Sequence, residues 1–405
     1  MMRMKKTVNC VNILKRMLML CLCLALLAGC ACADNVVEVS VGDGEQLDYQ
    51  CALPDGRLLL TGSKVNASDS GTCARLVCLN PDGTLSWDYS GPEQDNVYRG
   101  FYEAVALEDG TVAAVLVDES SDGMKMAAHF FTQDGKPTGK EIEIQSELAI
   151  FAAEPSCLVM TIGSIEGDRT EVFDWDGNKV RSFEGIALPG GYGDIVRGDE
   201  QVVYGQKDGR AKIMKTDGLT DTVLWETTLD FQWPDTKEAK LYYAAKTEDG
   251  GYAALLWEIR DSGKDDEGGY RKALVKFDAE GNVQWINREE AEENTLDDLF
   301  VYGGNIVLYP APPTDLDTPV VFRWFDGNGQ KTGTTELTVK TADCAEISRH
   351  LAQAGDGERR KPAISRMEMI PGADGLTAVT TAYTFDEVGL WDTAETILFK
   401  VPVLQ

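Results

Sequence analysis

The sequence predicts an all-β chain closed into a β-propeller, and three observations carry that prediction. The first is a hairpin that recurs, cleanest at residues 76–89 (LVCLNPDGTLSWDY) and repeated at 130–144, 172–183, 213–225, 275–285 and 322–337. Asp and Gly tolerate the positive φ of a tight reversal, and β-branched and aromatic residues flank it. The second is an alternating set of hairpins whose turns fall near residues 55, 109, 155, 199, 249, 304 and 374. Their spacing is roughly 45–55 residues with one longer step, the range of four-stranded propeller blades. The third is a bookkeeping of strands: the last module lacks one, and the N-terminal run at 36–41 is surplus.

In chain order, blade one has strands near 47–53, 57–62, 74–79 and 84–89. Blades two to six follow at about 100–144, 147–184, 192–229, 239–288 and 295–338. A seventh has strands only near 365–370, 376–383 and 395–401, so the period-2 run at 36–41 is expected to supply its fourth and close the ring. The prediction is seven four-stranded blades over 35–405, with eight or six as alternatives and two stacked β-sandwiches as a different architecture. One insertion, 339–363, carries a short helix expected at 343–354. Asp343 and Glu346 form its capping box, Gly355 its stop, and Cys344, Ile347, Leu351 and Ala354 share one face. It reads as a helix docked on the propeller or as a lid. Arg359, Arg360 and Lys361 follow it.

Residues 1–29 read as a signal peptide. Lys5, Lys6, Lys15 and Arg16 precede an uncharged apolar run at 17–29, too short to span a membrane comfortably. The run ends Leu27-Ala28-Gly29-Cys30, which resembles the bacterial lipobox; that resemblance implies acylation of Cys30, with 30–34 as a short tether. Cleavage after Ala33 is the alternative. The expected location is the extracytoplasmic face of a cell membrane, held by lipid. Loss of 1–29 removes five positive charges and no negative ones, taking the formal net charge from −29 to −34. So acidic a surface repels nucleic acid and can attract cations or basic partners.

The residues for familiar chemistry are scarce. Only His129 and His350 offer imidazoles, and outside the leader and Cys30 the cysteines are Cys32, Cys51, Cys73, Cys78, Cys157 and Cys344, with no C-x-x-C pair. Zinc is therefore not expected, and Cys73–Cys78 is the nearest disulfide candidate. There is no G-x-S-x-G, Walker or H-E-x-x-H motif. Cys344 and His350, six residues apart, fall on different faces of a helix. Asp174, Asp176 and Asn178 begin like a calcium loop, but Lys179 and Gly185 stand where Gly and Glu belong, so a turn is the better reading. Asp265, Asp266 and Glu267 read as a solvated charge run. Trp87, Trp225 and Trp285 sit in fourth strands and read as structural. Tyr98, Tyr192, Phe231, Trp233 and Trp391 fall in loops expected on one face of a propeller, where aromatics stack on sugars or peptides; these are the candidate ligand-binding residues.

The spacing of Asp278, Gly281 and Trp285, kept in part by Asp82, Gly83 and Trp87, resembles the blades of quinoprotein-like, PQQ-type propellers. These include pyrroloquinoline-quinone dehydrogenases and a non-enzymatic lipoprotein of outer-membrane protein assembly. The matching Trp positions of other blades hold Gly139, Arg181 and Gly333, and the dehydrogenases' adjacent-cysteine pair is absent. The resemblance implies the scaffold and no quinone cofactor. Sialidase Asp-boxes compare less well, because residues 82–87 depart from their order. Together these readings predict a lipid-anchored binding or scaffold protein for a protein partner or envelope glycan, without cofactor. The alternative is a glycan hydrolase or lyase with carboxylates in the central funnel.

Overall fold

The computed structural model describes residues 31–32, 37–38 and 45–404 apart from 68–69, 122, 145–148, 163–168, 185–191, 197–198, 218–221, 261–268, 289–296, 312–313, 354–361, 366, 373–374 and 386–390. The leader, Cys30, the acidic run 265–267 and the basic run 359–361 lie outside the described residues. Among the described residues no helix is long and apolar enough to cross a membrane.

The chain is an all-β propeller with five blades, each an antiparallel meander of four consecutive strands. Blade 1 comprises Glu45–Ala52, Leu58–Val65, Thr72–Leu79 and Leu85–Ser90; blade 2 comprises Tyr98–Ala106, Val112–Ser120, Gly123–Phe131 and Pro137–Ile144. Blade 3 runs from Ala149–Ala153 to Lys179–Glu184, blade 4 from Tyr192–Val196 to Val223–Thr228, and blade 5 from Thr236–Lys246 to Val283–Asn287. A parallel bridge between Thr72 and Tyr98 joins blades 1 and 2 into one eight-stranded sheet.

The expectation of seven such blades, or of six or eight, is corrected here. Beyond Asn287 the four-strand rhythm gives way to a five-stranded and a six-stranded sheet of mixed construction. The cause is a strand that changes sheet. Thr314–Asp315 leaves the run between Asn305–Pro310 and Val320–Phe325 and pairs instead with Ala363–Ile364. The N-terminal pieces are added at the edges: Ala31–Cys32 lies parallel to Lys331–Thr338, and Val37–Glu38 antiparallel to Trp391–Val401. The two sheets share one core that includes Phe322, Trp324, Ile364 and Phe399. Blade 1 meets the last sheet through Leu47, whose N–H donates to Thr396 Oγ1 and whose carbonyl accepts from it, over a cluster of Leu60, Val77, Val379 and Leu398.

The turns follow their chemistry. Asp55, Asp82, Asp109 and Asp249 each accept from the backbone N–H two residues on, leaving the intervening Gly56, Gly83, Gly110 and Gly250 at positive φ. Outer-strand tryptophans lock neighbouring blades. A Cβ on Gly135 or Gly281, both at positive φ, would come within 2.4 Å of Trp87 or Trp225 of the preceding blade. Trp87 and Trp285 also donate Nε1–H to Gln133 and Gly327 carbonyls one sheet on.

The inserted helix is Ala345–Gln353, and the expected Asp343 cap does not form. Instead the buried Glu395 carboxylate, on the strand beneath, accepts from Glu346 and Ile347 N–H, placing negative charge at the helix N-terminus. Cys344 and Ile347 are fully buried and Leu351 packs on the same core, so the helix is docked. Cys51, Cys73, Cys78, Cys157 and Cys344 are not joined in disulfides; Cys73 and Cys78, five apart on one strand, point to opposite faces and cannot bridge.

Candidate functional site

The first strands of successive sheets stand around the axis, and a bulge in each of several re-aims a side chain. In blade 2, Phe101 pairs with Leu116 and Glu103 with Val115, leaving Tyr102 as the extra residue. In blade 1 the same shift falls between Tyr49 and Cys51, and in blade 5 between Tyr242 and Ala244. The freed Gln50 accepts from Ala104 N–H of blade 2. Tyr102 turns to water and is 61% exposed; Tyr98, at the start of the same strand, is 58% exposed. Gly100 lies between them, with Ser63 and Gly62 just beyond it. Tyr98 and Tyr102 line a 160 Å³ recess with Asp48, Thr72 and Glu119.

That recess adjoins a polar cavity of about 670 Å³, within the range of ligand sites, lined in part by Asp48, Tyr102, Glu103, Glu154, Ser365 and Glu368. Asp48 opens on this space, yet protein surrounds most of it. The lost solvation, and then the charge of Glu368, raise the Asp48 carboxyl above its ordinary value. Cys51, on the same wall, is pushed up to about 11, chiefly by burial, so its thiol stays protonated at neutral pH. Among the described residues no group of three His, Cys, Asp or Glu is placed to hold a metal ion.

The three expected aromatics whose side chains are described, Tyr98, Phe231 and Trp233, do not converge. Tyr98 is at the recess. Phe231 and Trp233 belong to the linker between blades 4 and 5: Arg210 stacks over Phe231 at 4.6 Å, Arg271 lies 5.5 Å from Trp233, and Trp233 packs on the blade 4–5 core. Trp233 is thus a packing residue. Tyr192 and Trp391 begin the strands Tyr192–Val196 and Trp391–Val401; their side chains lie outside the described residues. Tyr102, Asp48 and Glu368 were missed. The pattern Tyr98-x-Gly100-x-Tyr102, two large polar-tipped rings on either side of a glycine in one strand, was the available signal for Tyr102.

A family model described as a β-propeller domain of unknown function, DUF5122, matches residues 53–85, within blade 1 and including both of its Asp-Gly turns. No curated protein matches the chain. Similar solved structures include the β-propeller domain of the Trilobed protease from Pyrococcus furiosus, 12% identical over 88% of this chain and 94% of that one, with a TM-score of 0.45. Sqt1 from Chaetomium thermophilum is 13% identical over 91% and 100%, with a TM-score of 0.44. The AfRom2 CNH domain is 9% identical over 92% and 100%, with a TM-score of 0.45.

Proposed function

We propose that this propeller is a lipid-anchored extracytoplasmic binding protein that holds a segment of a protein partner at the mouth of its axial cavity. The reading rests on one observation: two exposed tyrosines, Tyr98 and Tyr102, rim an acidic, water-open space of ligand size. Rings with carboxylates behind them favour a partner segment that presents basic side chains, through cation–π and charge attraction together. The anchor is the acylated Cys30 implied by the lipobox-like Leu27-Ala28-Gly29-Cys30, and the scaffold likeness is to PQQ-type propellers without their cofactor.

The test is capture of the anchored protein from its host after mild crosslinking, run beside Tyr98→Ala/Tyr102→Ala. A near-stoichiometric protein lost in the double variant supports the reading. Recovery of an envelope glycan instead would change the partner class, and recovery of the protein alone would sink the proposal. The anchor is tested separately: Cys30→Ser should abolish labelling by a palmitate analogue and release the protein from membranes.

A second reading has one observation behind it. Acid catalysis of glycosidic cleavage uses a carboxyl raised above its ordinary value and paired with a second carboxylate, and Asp48, raised first by burial and then by the charge of Glu368, has that character. Hydrolysis of any envelope glycan, abolished by Asp48→Asn, would favour it; a silent glycan panel would remove it.

A further inference from the structure

A second cavity lies away from the axis, in the seam between blades 1 and 2. It measures about 330 Å³. Its apolar walls are Tyr89, Phe101 and Leu116, and its polar lining includes His129, Glu141 and Glu143. Strand alternation explains the set. Arg99 and Phe101, Leu116 and Asp118, Lys125, Ala127 and His129, and Glu141 and Glu143 all project from the face of blade 2 turned to blade 1.

In the same seam between blades 4 and 5 the corresponding positions are filled by buried side chains. Backbone hydrogen bonds fix the correspondence. Gly91 N–H donates to Ala74 O at 2.8 Å, as Leu229 N–H donates to Ala211 O at 2.9 Å. The turns at Gly110 and Gly250, and at Gly135 and Gly281, place Leu116 opposite Leu256 and His129 opposite Val275. Leu229 and Val275 are buried in the blade 4–5 core. Where they fill space, the first seam has Gly91 and a half-buried His129. The cavity is therefore made by two particular residues on an otherwise shared frame.

We propose that this seam is a binding site for a small organic cation, a primary amine carrying a compact aromatic or branched apolar group. The apolar body fits against Tyr89, Phe101 and Leu116, and the ammonium reaches the carboxylates of Glu141 and Glu143. The charges balance in its favour. Arg99 is already held by Asp118, at 2.8–2.9 Å, and by the Pro92 carbonyl and Gln94, so it is not available to draw in an anion. Lys125 is one cation against the two glutamates. Burial lowers the His129 pKa against the opposing effect of Glu141, which keeps the imidazole neutral at pH 7 and able to accept an N–H. This site stands independently of the axial cavity.

The experiment is calorimetric titration of the full chain with phenethylamine and with 3-phenylpropanoate, its anionic counterpart. Phenethylamine should bind one per chain, and the anion at least about tenfold more weakly, the size of a charge-assisted hydrogen bond. Glu141→Gln/Glu143→Gln should bring the two probes to similar affinity. Gly91→Leu should abolish amine binding while melting no lower than the parent; its Cβ would meet Ala74 only at ordinary contact distances of 3.5–3.6 Å. Asp48→Asn, in the other cavity, should leave amine binding at this seam as it is in the parent. Equal binding of both probes, binding of neither, retained amine binding in a folded Gly91→Leu, or loss of it in Asp48→Asn would each overturn the proposal.

Discussion

The seam between blades 1 and 2 and the seam between blades 4 and 5 are built from nearly the same parts. Residues 113–117 (AAVLV) and 253–257 (AALLW) lie in their second strands, Ala74 and Ala211 each accept from the linker that follows in their own blade, and Trp87 and Trp225 cover the corresponding glycines Gly135 and Gly281. One seam holds a cavity and the other is sealed. In the sealed seam the buried Glu258 accepts from the N–H groups of Gln232 and Trp233 and from the Thr236 hydroxyl, clamping the linker over the core. In the open seam the corresponding Asp118 is partly exposed and is taken by Arg99. The difference teaches that a repeat conserves its frame through turns and strand pairing. One linker residue and one strand residue, Gly91 and His129 in the first seam against Leu229 and Val275 in the other, decide whether the seam is pocket or core.

The comparison breaks most sharply at the clamp. Glu258→Ala should cost about 3 kcal/mol, since it strands several donors that cost about 1–3 kcal/mol each when buried without a partner. Asp118→Ala should cost about 1 kcal/mol, because Arg99 keeps other partners and reaches water. Urea denaturation of the two variants measures this, and equal losses would deny that the seams differ in how they are held.

Trp233→Ala should cost about 2 kcal/mol by opening the sealed seam, less than a fully buried tryptophan would. An unchanged denaturation midpoint would show that the linker, and not the ring, closes it. In the other direction, Gly91→Leu should gain about 0.5–1 kcal/mol by filling the open seam and reducing the freedom of the unfolded chain. A loss would mean that the cavity is held open by something other than the missing side chain.

The smallest effect is a pH dependence. His129 has its pKa lowered from the ordinary 6.5, so the unfolded chain binds this proton more readily. The wild type should lose stability as pH falls through 6.5 toward the lower folded value, with Glu141 opposing part of the loss. His129→Val, which installs the residue of the sealed seam, should be flat over that interval relative to wild type. Melting temperatures from pH 8 to 5 that run parallel in the two proteins would contradict the lowered pKa.

Much of this was legible in the chain. The Asp-Gly turns stand where the residues place them, because an Asp carboxylate accepting from the next-but-one N–H beside a positive-φ Gly is a contact within four residues. Trp87, Trp225 and Trp285 were readable as structural from their place in fourth strands, although the groups they meet lie more than 40 residues on. The helix was found but its cap was not, since the acceptor Glu395 lies 49 and 48 residues from the groups it caps. Of the aromatics read from sequence, Tyr98 lies at the recess and Trp233 packs against a core, because being in a linker says nothing of what the linker covers.

By itself, then, the sequence determined an all-β chain of paired hairpins, acidic overall, with its Asp-Gly turns and the alternation of its strand faces. Those properties depend on alternation and turn chemistry, which act over a few residues. Only the tertiary structure decided that five regular blades are followed by two sheets between which a strand changes place, that a bulge aims Tyr102 into water, and that Gly91 and His129 leave space where Leu229 and Val275 do not. Each of those outcomes is set by which distant side chain fills a volume, and packing of that kind has no local signature.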